Sequence, residues 1–102
     1  MKKVLVLGAG GQLGSFLLRR YATDKELSWV GYSREQLDIK NRSQFEDILD
    51  KEKPFAVVNA AAYTDVDRAE TEKQLAWEVN AKAPSFIAKA CNDKSVALVH
   101  IS

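Results

Sequence analysis

Four of the five glycines in this chain lie within seven consecutive residues, the segment GAGGQLG at positions 8–14. The segment follows the run KVLVL at 3–7 and precedes SFLLRRY at 15–21. Glycine is unfavourable by roughly 0.5–1 kcal/mol within regular structure relative to alanine, so a cluster of glycines requires a local reason. A tight turn from a buried strand into a helix supplies one. The chain is therefore expected to begin with a strand–turn–helix unit.

The glycine spacing also predicts a binding role for this turn. The first turn of a helix presents unpaired backbone N–H groups and the positive end of the helix dipole, and a pyrophosphate can dock there if no Cβ blocks its approach. In the pattern Gly8-x-x-Gly11-x-x-Gly14, Gly8 is expected to make the turn and Gly11 to admit the phosphates. Gly14 would let the helix lie close to the sheet. Packing of a tight turn alone is the alternative explanation.

Apolar runs alternate with helical patterns along the rest of the chain. Strands are predicted at 3–7, 27–32, 55–60 and 96–101. Helical spacing is seen from Leu13 to Tyr21, after a capping box at Ser43, and after a second box at Thr71. Strands separated by helices indicate βαβ units and a parallel sheet. We predict an α/β, partial Rossmann-like fold with helices on both faces and strand order 3-2-1-4.

Composition excludes several classes of protein. The chain has 102 residues, enough for one domain, with 46% hydrophobic residues, 28% charged residues and a net charge near +1. This charge balance argues against nucleic acid and membrane surfaces as partners. The single cysteine, Cys91, allows no internal disulfide. The first apolar run is too short for a signal peptide, so a cytoplasmic location is expected.

The end of the second predicted strand bears on cofactor choice. A dinucleotide fold that prefers NAD usually carries an acidic residue there, which holds the ribose 2′-hydroxyl. Here the strand ends in Tyr32-Ser33-Arg34. A hydroxyl and a guanidinium suit a 2′-phosphate better than a diol. NADP(H) is therefore the preferred cofactor, with NAD(H) as the alternative. Arg34 as a solvated loop residue is the competing interpretation.

Five segments carry a resemblance to a known family. They are LDI at 37–39, NAAAYTDVDRAE at 59–70, AWEVNAKAP at 76–84 and LVHIS at 98–102, together with GGQLG at 10–14. With them the whole chain resembles the dTDP-4-dehydrorhamnose reductases, a family of extended short-chain dehydrogenases/reductases that reduce a 4-keto sugar nucleotide with a nicotinamide cofactor. The glycine spacing and the end of the second strand assign Gly8, Gly11, Gly14, Ser33 and Arg34 to the predicted cofactor site. The resemblance again implies Gly8 and Gly11, and it adds Gln12, Leu13, Asp38, Ile39, Asn59, Ala60, Ala61, Ala62, Tyr63 and Asn80. It also implies substrate contact by Thr64.

Two positions receive a more specific interpretation. Proline at position 84 cannot donate to the carbonyl of Asn80, four residues earlier, so a kink there is expected to expose that carbonyl. In the superfamily an asparagine at this position supports a water in the proton relay, and Asn80 is the candidate here. Simple bending of the helix around the sheet is the alternative. Phe16 stands where family members usually carry an acidic residue linked to a metal, so no metal is expected.

The catalytic residues of such reductases are not expected in this chain. The superfamily uses a Ser or Thr with a Tyr-x-x-x-Lys pair, in which the tyrosine protonates the carbonyl oxygen. Tyr21 and Lys25 have this spacing but belong to the end of the first helix, on the wrong side of the fold. We therefore interpret residues 1–102 as an NAD(P)-binding half-domain. It would be the amino-terminal part of a longer reductase and inactive alone.

Three interpretations remain open at this point, of which the cofactor-binding part of a reductase is the first. In the complete protein the partner would be a nucleotide-sugar substrate, with a homodimer left open. A non-catalytic, nucleotide-binding regulatory subunit resembling the β subunit of methionine adenosyltransferase is the second interpretation. An epimerase or dehydratase of sugar nucleotides is a third, which fits NAAAYTDVD less well. The sheet edge beyond the fourth strand is expected to promote self-association.

Overall fold

The computed structural model describes residues 1–61 and 82–101. Their elements, in chain order, are β1 (Lys2–Leu7), α1 (Gln12–Arg20), β2 (Leu27–Tyr32), α2 (Arg42–Glu52), β3 (Ala56–Asn59), α3 (Ala83–Asp93) and β4 (Ala97–His100). All four predicted strands are present, with ends that differ from the prediction by at most one residue. The helix predicted to open at Thr71 begins outside the described residues.

The four strands form one parallel sheet in the order β2-β1-β3-β4. The α/β class and the parallel sheet are confirmed, but the predicted strand order 3-2-1-4 is wrong. The third strand pairs with β1 on the side opposite β2, with Leu5 beside Val57 and Val6 beside Val58. The reason is the face on which α2 packs. Right-handed crossovers on opposite faces of a sheet run in opposite directions, so the connection through α2 returns across β1.

Helices cover both faces, as predicted. On one face Leu5, Leu7 and Val57 pack with residues of α2 and α3. On the other face Val4, Val6 and Val58 pack with Leu17 and Leu18 of α1. The period of two along β1 thus divides its side chains between two cores, which explains why the strand reads as continuously apolar.

The start of α2 differs from its prediction, and α3 contains the proline for which a kink was predicted. α2 begins at Arg42, and its N-cap is Asn41, whose side-chain oxygen accepts a hydrogen bond from the Gln44 N–H at 3.0 Å. Ser43 lies inside the helix, so the predicted capping box at Ser43 is wrong. Pro84 lies in the first turn of α3, where the absence of its N–H removes no helical bond of the described segment. Asn80 falls outside the described residues, so its exposed carbonyl stays a prediction.

Within residues 1–61 and 82–101, no helix has the length and apolar character required to cross a membrane.

Candidate functional site

The glycine loop is tied directly to the neighbouring strand. Gly8 follows β1 with a φ of +80°, a left-handed conformation that favours glycine. The N–H groups of Gly8 and Ala9 both donate to the carbonyl oxygen of Tyr32, each at 3.1 Å. The Gly11 N–H donates to the Gly8 carbonyl at 3.0 Å. The loop is therefore closed on itself and fixed to the end of β2.

The glycines of the loop differ in what the fold requires of them. A Cβ on Gly8 would lie 2.8 Å from the backbone nitrogen of Ala61, and a Cβ on Gly14 would overlap the carbonyl oxygen of Gly8. Side chains at these two positions are excluded by the protein itself. A Cβ on Gly10 or Gly11 would have its nearest neighbour at 3.8 or 3.5 Å, an ordinary van der Waals contact. No steric contact in the described fold requires glycine at these two positions.

The start of α1 is suited to an anion. Gly11 is the N-cap and provides no capping side chain, and the first turn contains no acidic residue. The N–H groups of Gln12 and Leu13 precede the first intrahelical bond, which runs from the Ser15 N–H to the Gly11 carbonyl at 3.0 Å. Within the described segments these amides have no side-chain acceptor. Together with the helix dipole, they can bind a phosphate group.

An open cleft of about 280 Å³ lies in front of this loop. In the described part of the chain it is lined by three glycines, Gly8, Gly10 and Gly11, by the charged pair Arg34 and Glu35, and by Ala60 and Ala61. These residues follow the carboxyl ends of β1, β2 and β3. From β1 the chain continues to β2 on one side of the sheet, and from β3 it continues to β4 on the other side. The boundary between β1 and β3 is therefore the switch point of the sheet. The cleft lies there, where ligands of open α/β folds bind.

A tight turn after β2 presents the charged pair. The Ser33 N–H donates to the side-chain oxygen of Gln36 at 2.9 Å. The Ser33 carbonyl accepts from the N–H groups of Gln36 at 3.0 Å and Leu37 at 2.9 Å. Arg34 and Glu35 are the two central residues of this turn, and both side chains are exposed.

Glu35 is a cleft residue that the sequence reasoning missed. Its pKa is held below the usual value, mainly because its own backbone N–H donates to the carboxylate, with smaller contributions from the Ser33 hydroxyl and the charge of Arg34. The carboxylate therefore stays ionised at neutral pH. Its position directly after Arg34 was the signal available in the sequence, since consecutive residues of one turn can line the same cleft.

Asn59 positions the other wall of the cleft. It ends β3 and is completely buried. Its side-chain oxygen accepts from the Ala61 N–H at 3.1 Å, which fixes the orientation of the amide. The amide nitrogen then lies 3.2 Å from His100 Nδ1 and donates to it, so the imidazole accepts at Nδ1. The Ala60 N–H donates to the Leu7 carbonyl at 3.1 Å, which binds this wall to β1.

The remaining sequence-predicted residues do not all meet at the cleft. Asp38 and Ile39 do not line it. The carboxylate of Asp38 accepts from the Lys40 N–H at 3.0 Å, and Ile39 is buried in the core shared with α2 and α3. Ala62, Tyr63, Thr64 and Asn80 lie outside the described residues.

Tyr21 follows α1 at the end of the helix opposite the glycine loop. Its ring stacks on Trp29 with centroids 4.7 Å apart. The spacing of Tyr21 and Lys25 therefore has no connection with the cleft.

Known proteins resemble this chain over its whole length. The protein-family model described as RmlD substrate binding domain matches residues 1–102. The dTDP-4-dehydrorhamnose reductase of Aggregatibacter actinomycetemcomitans is 36% identical over 102 residues, which cover 100% of this chain and 35% of that protein. The enzyme of the same name from Mycobacterium tuberculosis (strain CDC 1551 / Oshkosh) is 37% identical over 101 residues, covering 99% of this chain and 32% of that protein.

Solved structures of dTDP-4-dehydrorhamnose reductases are also similar to this chain. A crystal structure of dTDP-4-dehydrorhamnose reductase from Bacillus anthracis str. Ames in complex with NADP superimposes with a TM-score of 0.91 at 34% identity. The match covers 100% of this chain and 36% of that one. The chain thus spans about a third of the length of the relatives that it matches.

Proposed function

The chain belongs to the RmlD substrate binding domain family, and we propose that it forms the cofactor-binding part of an NAD(P)H-dependent reductase of 4-keto deoxysugar nucleotides. The names of its relatives support this substrate class, since curated proteins 36–37% identical to the chain are dTDP-4-dehydrorhamnose reductases. A nucleotide sugar is accordingly the proposed partner of the whole protein. We expect the 102-residue chain by itself to have no reductase activity, because its one Tyr-x-x-x-Lys spacing, Tyr21 and Lys25, lies away from the cleft.

The observation that carries the cofactor proposal is the contrast among the glycines. Gly8 and Gly14 are required by the fold, whereas Gly10 and Gly11 line the cleft and leave space that the described residues do not fill. A ligand whose phosphates approach the backbone gives these two glycines a reason. The pyrophosphate of a dinucleotide is such a ligand, with the amides of Gln12 and Leu13 as donors.

The other walls of the cleft fit the rest of a dinucleotide. Ala60 and Ala61 provide a surface of small side chains beyond β3, as a ligand lying across the sheet requires. Arg34, with Ser33 beside it, supplies the cation that a ribose 2′-phosphate requires, which supports NADP(H) as the preferred cofactor. When bound, the reduced nicotinamide supplies the hydride. The residues of this chain bind and orient the cofactor.

A pair of glycine variants tests the proposal. In the intact protein, Gly11→Ala is expected to lower the free energy of unfolding by about 1 kcal/mol or less, because its Cβ fits the fold and only the weaker N-cap preference of alanine is felt. The same change should weaken NADP⁺ binding at least about tenfold, since the methyl group occupies the phosphate path. Gly14→Ala is the control, and it should lose about 1–3 kcal/mol of stability through the clash with Gly8.

Isothermal titration calorimetry with NADP⁺ and urea denaturation provide the two readouts. If the wild-type protein binds neither NADP⁺ nor NAD⁺, or if Gly11→Ala binds NADP⁺ as the wild type does, the cofactor proposal is wrong. Consumption of NADPH with a 4-keto deoxysugar nucleotide then tests the reaction. Tight cofactor binding with no turnover of any such substrate would favour a regulatory subunit instead.

A further inference from the structure

We propose that Glu35 is a specificity-determining residue that opposes Arg34 and keeps NAD(H) competitive with NADP(H) in this cleft. The inference rests on the proposed function, because it concerns the cofactor of the same site. It goes further by assigning a role to a carboxylate for which the resemblance gave none. The two charges belong to consecutive residues and line one cleft, so a ligand at this point meets both.

The backbone that presents these charges is held on three sides. Within the turn, Ser33 and Gln36 bond to each other through main chain and side chain. Toward the glycine loop, the carbonyl of Tyr32 accepts from two loop amides. Toward α2, the side chain of Gln44 accepts from the Asp38 N–H at 3.1 Å and donates to the Gln36 carbonyl at 3.4 Å. The turn therefore has a fixed position relative to the loop that would receive the pyrophosphate.

The two nicotinamide cofactors differ at one place, the 2′ position of the adenosine ribose. NADP carries a phosphate there, with a charge of roughly −1.5 to −2 at neutral pH, and NAD carries a hydroxyl. A carboxylate accepts a hydrogen bond from a hydroxyl but repels a phosphate, whereas a guanidinium attracts the phosphate. Since the carboxylate of Glu35 is ionised at neutral pH, it penalises NADP and favours NAD. Arg34 has the reverse effect.

Neutralising each charge in turn provides the experiment. Glu35→Gln keeps the size of the side chain and removes its charge, and Arg34→Gln does the same for the cation. Glu26→Gln is the matched control, because Glu26 is an exposed glutamate next to the opposite end of β2. The dissociation constants of NADP⁺ and NAD⁺ are measured for each variant of the intact protein by titration calorimetry, at low and at high salt.

Glu35→Gln is expected to raise the preference for NADP⁺ over NAD⁺ about three- to tenfold, and Arg34→Gln to lower it by a similar factor. Both changes should shrink at high salt, because exposed charges are screened. Glu26→Gln should leave the preference as in the wild type.

An unchanged preference in Glu35→Gln, or a change that salt does not reduce, would overturn the role of Glu35. In that outcome the wild type still binds the cofactors and the proposed function stands. If the wild type binds neither cofactor, the proposed function fails, and this inference fails with it.

Discussion

At the scale of single residues, Asn59 is a buried polar residue whose hydrogen bonds hold the cleft wall in place. It is completely buried in the described core, and both ends of its amide are hydrogen bonded. One bond holds the backbone of Ala61, which lines the cleft, and the other reaches His100 on β4. The side chain thus links the end of β3 to the cleft wall and to the neighbouring strand.

Replacing this amide should affect stability and binding together. In the intact protein, Asn59→Leu leaves the Ala61 N–H without its acceptor, so a loss of about 1–3 kcal/mol is expected in urea denaturation. The affinity for NADP⁺ should fall as well, because the Ala61 backbone is no longer held. Asn92→Leu, at an exposed position near the end of α3, is the control and should change stability by less than about 0.5 kcal/mol. Equal stabilities of the two variants would contradict this role for Asn59.

At the scale of elements, Glu52 joins three of them through one carboxylate. It lies at the end of α2, accepts from Lys3 Nζ of β1 at 2.9 Å, and accepts from the Tyr32 hydroxyl of β2 at 2.6 Å. The hydrogen bond from Tyr32 and then that from Lys3 lower the pKa of Glu52, whose side chain is only 11% exposed. The same hydrogen bond with Glu52 raises the pKa of Tyr32.

These shifts predict a stability that depends on pH. Because the pKa of Glu52 is lower in the folded state, its contribution is complete above the ordinary value near 4.5 and is lost as pH falls through the folded value. Glu52→Gln should therefore cost about 1–2 kcal/mol at pH 7, and the difference from wild type should shrink in more acidic buffer. Urea denaturation as a function of pH measures both quantities.

The control for this prediction is Glu46→Gln, which removes an exposed pair with Arg42 one turn away on α2. That pair should contribute about 0.5 kcal/mol or less. A Glu52→Gln effect that stays constant with pH would contradict the assignment of the stabilisation to the ionised carboxylate.

The strands, the glycine turn and the start of α2 differ in how well they can be predicted from the sequence. The strands and the glycine turn were predictable because apolar periodicity, chain-breaking residues and glycine spacing are local properties of the sequence. The start of α2 was misplaced for an equally local reason. Asn41 and Ser43 are both good N-cap residues two positions apart, and Ser43 with Glu46 also fits a capping box. The choice between them follows from the path of the chain through the Asp38–Asn41 turn.

At the scale of the whole molecule, the strand order could not be read from the sequence. It depends on which face α2 covers, and its apolar positions fit either face equally well. The order has a consequence for the site, because it places β3 beside β1 and brings Ala60 and Ala61 against Gly8. For the same reason the contact of Asn59 with His100 was not predicted, since it depends on the register of β3 and β4.

The order also leaves β4 at one edge of the described sheet, and this edge has few features that prevent association. Its four residues, Ala97–His100, include no lysine, glutamate, aspartate or proline. Val99 is 52% exposed. Natural edge strands usually carry a charge or a proline that blocks pairing with another chain. We therefore expect the 102-residue chain, when produced by itself, to associate through β4.

Light scattering coupled to size-exclusion chromatography tests this expectation. The mean mass of the wild-type chain should rise above the monomer value as concentration increases, and Val99→Lys should shift the mass back toward the monomer, because a lysine on an edge strand disfavours pairing. Ser28→Lys, on the opposite edge strand β2, is the control and should not reduce association. A wild-type chain that remains monomeric at high concentration would show that the edge is protected. A mass lowered equally by both lysines would assign the association to net charge rather than to β4.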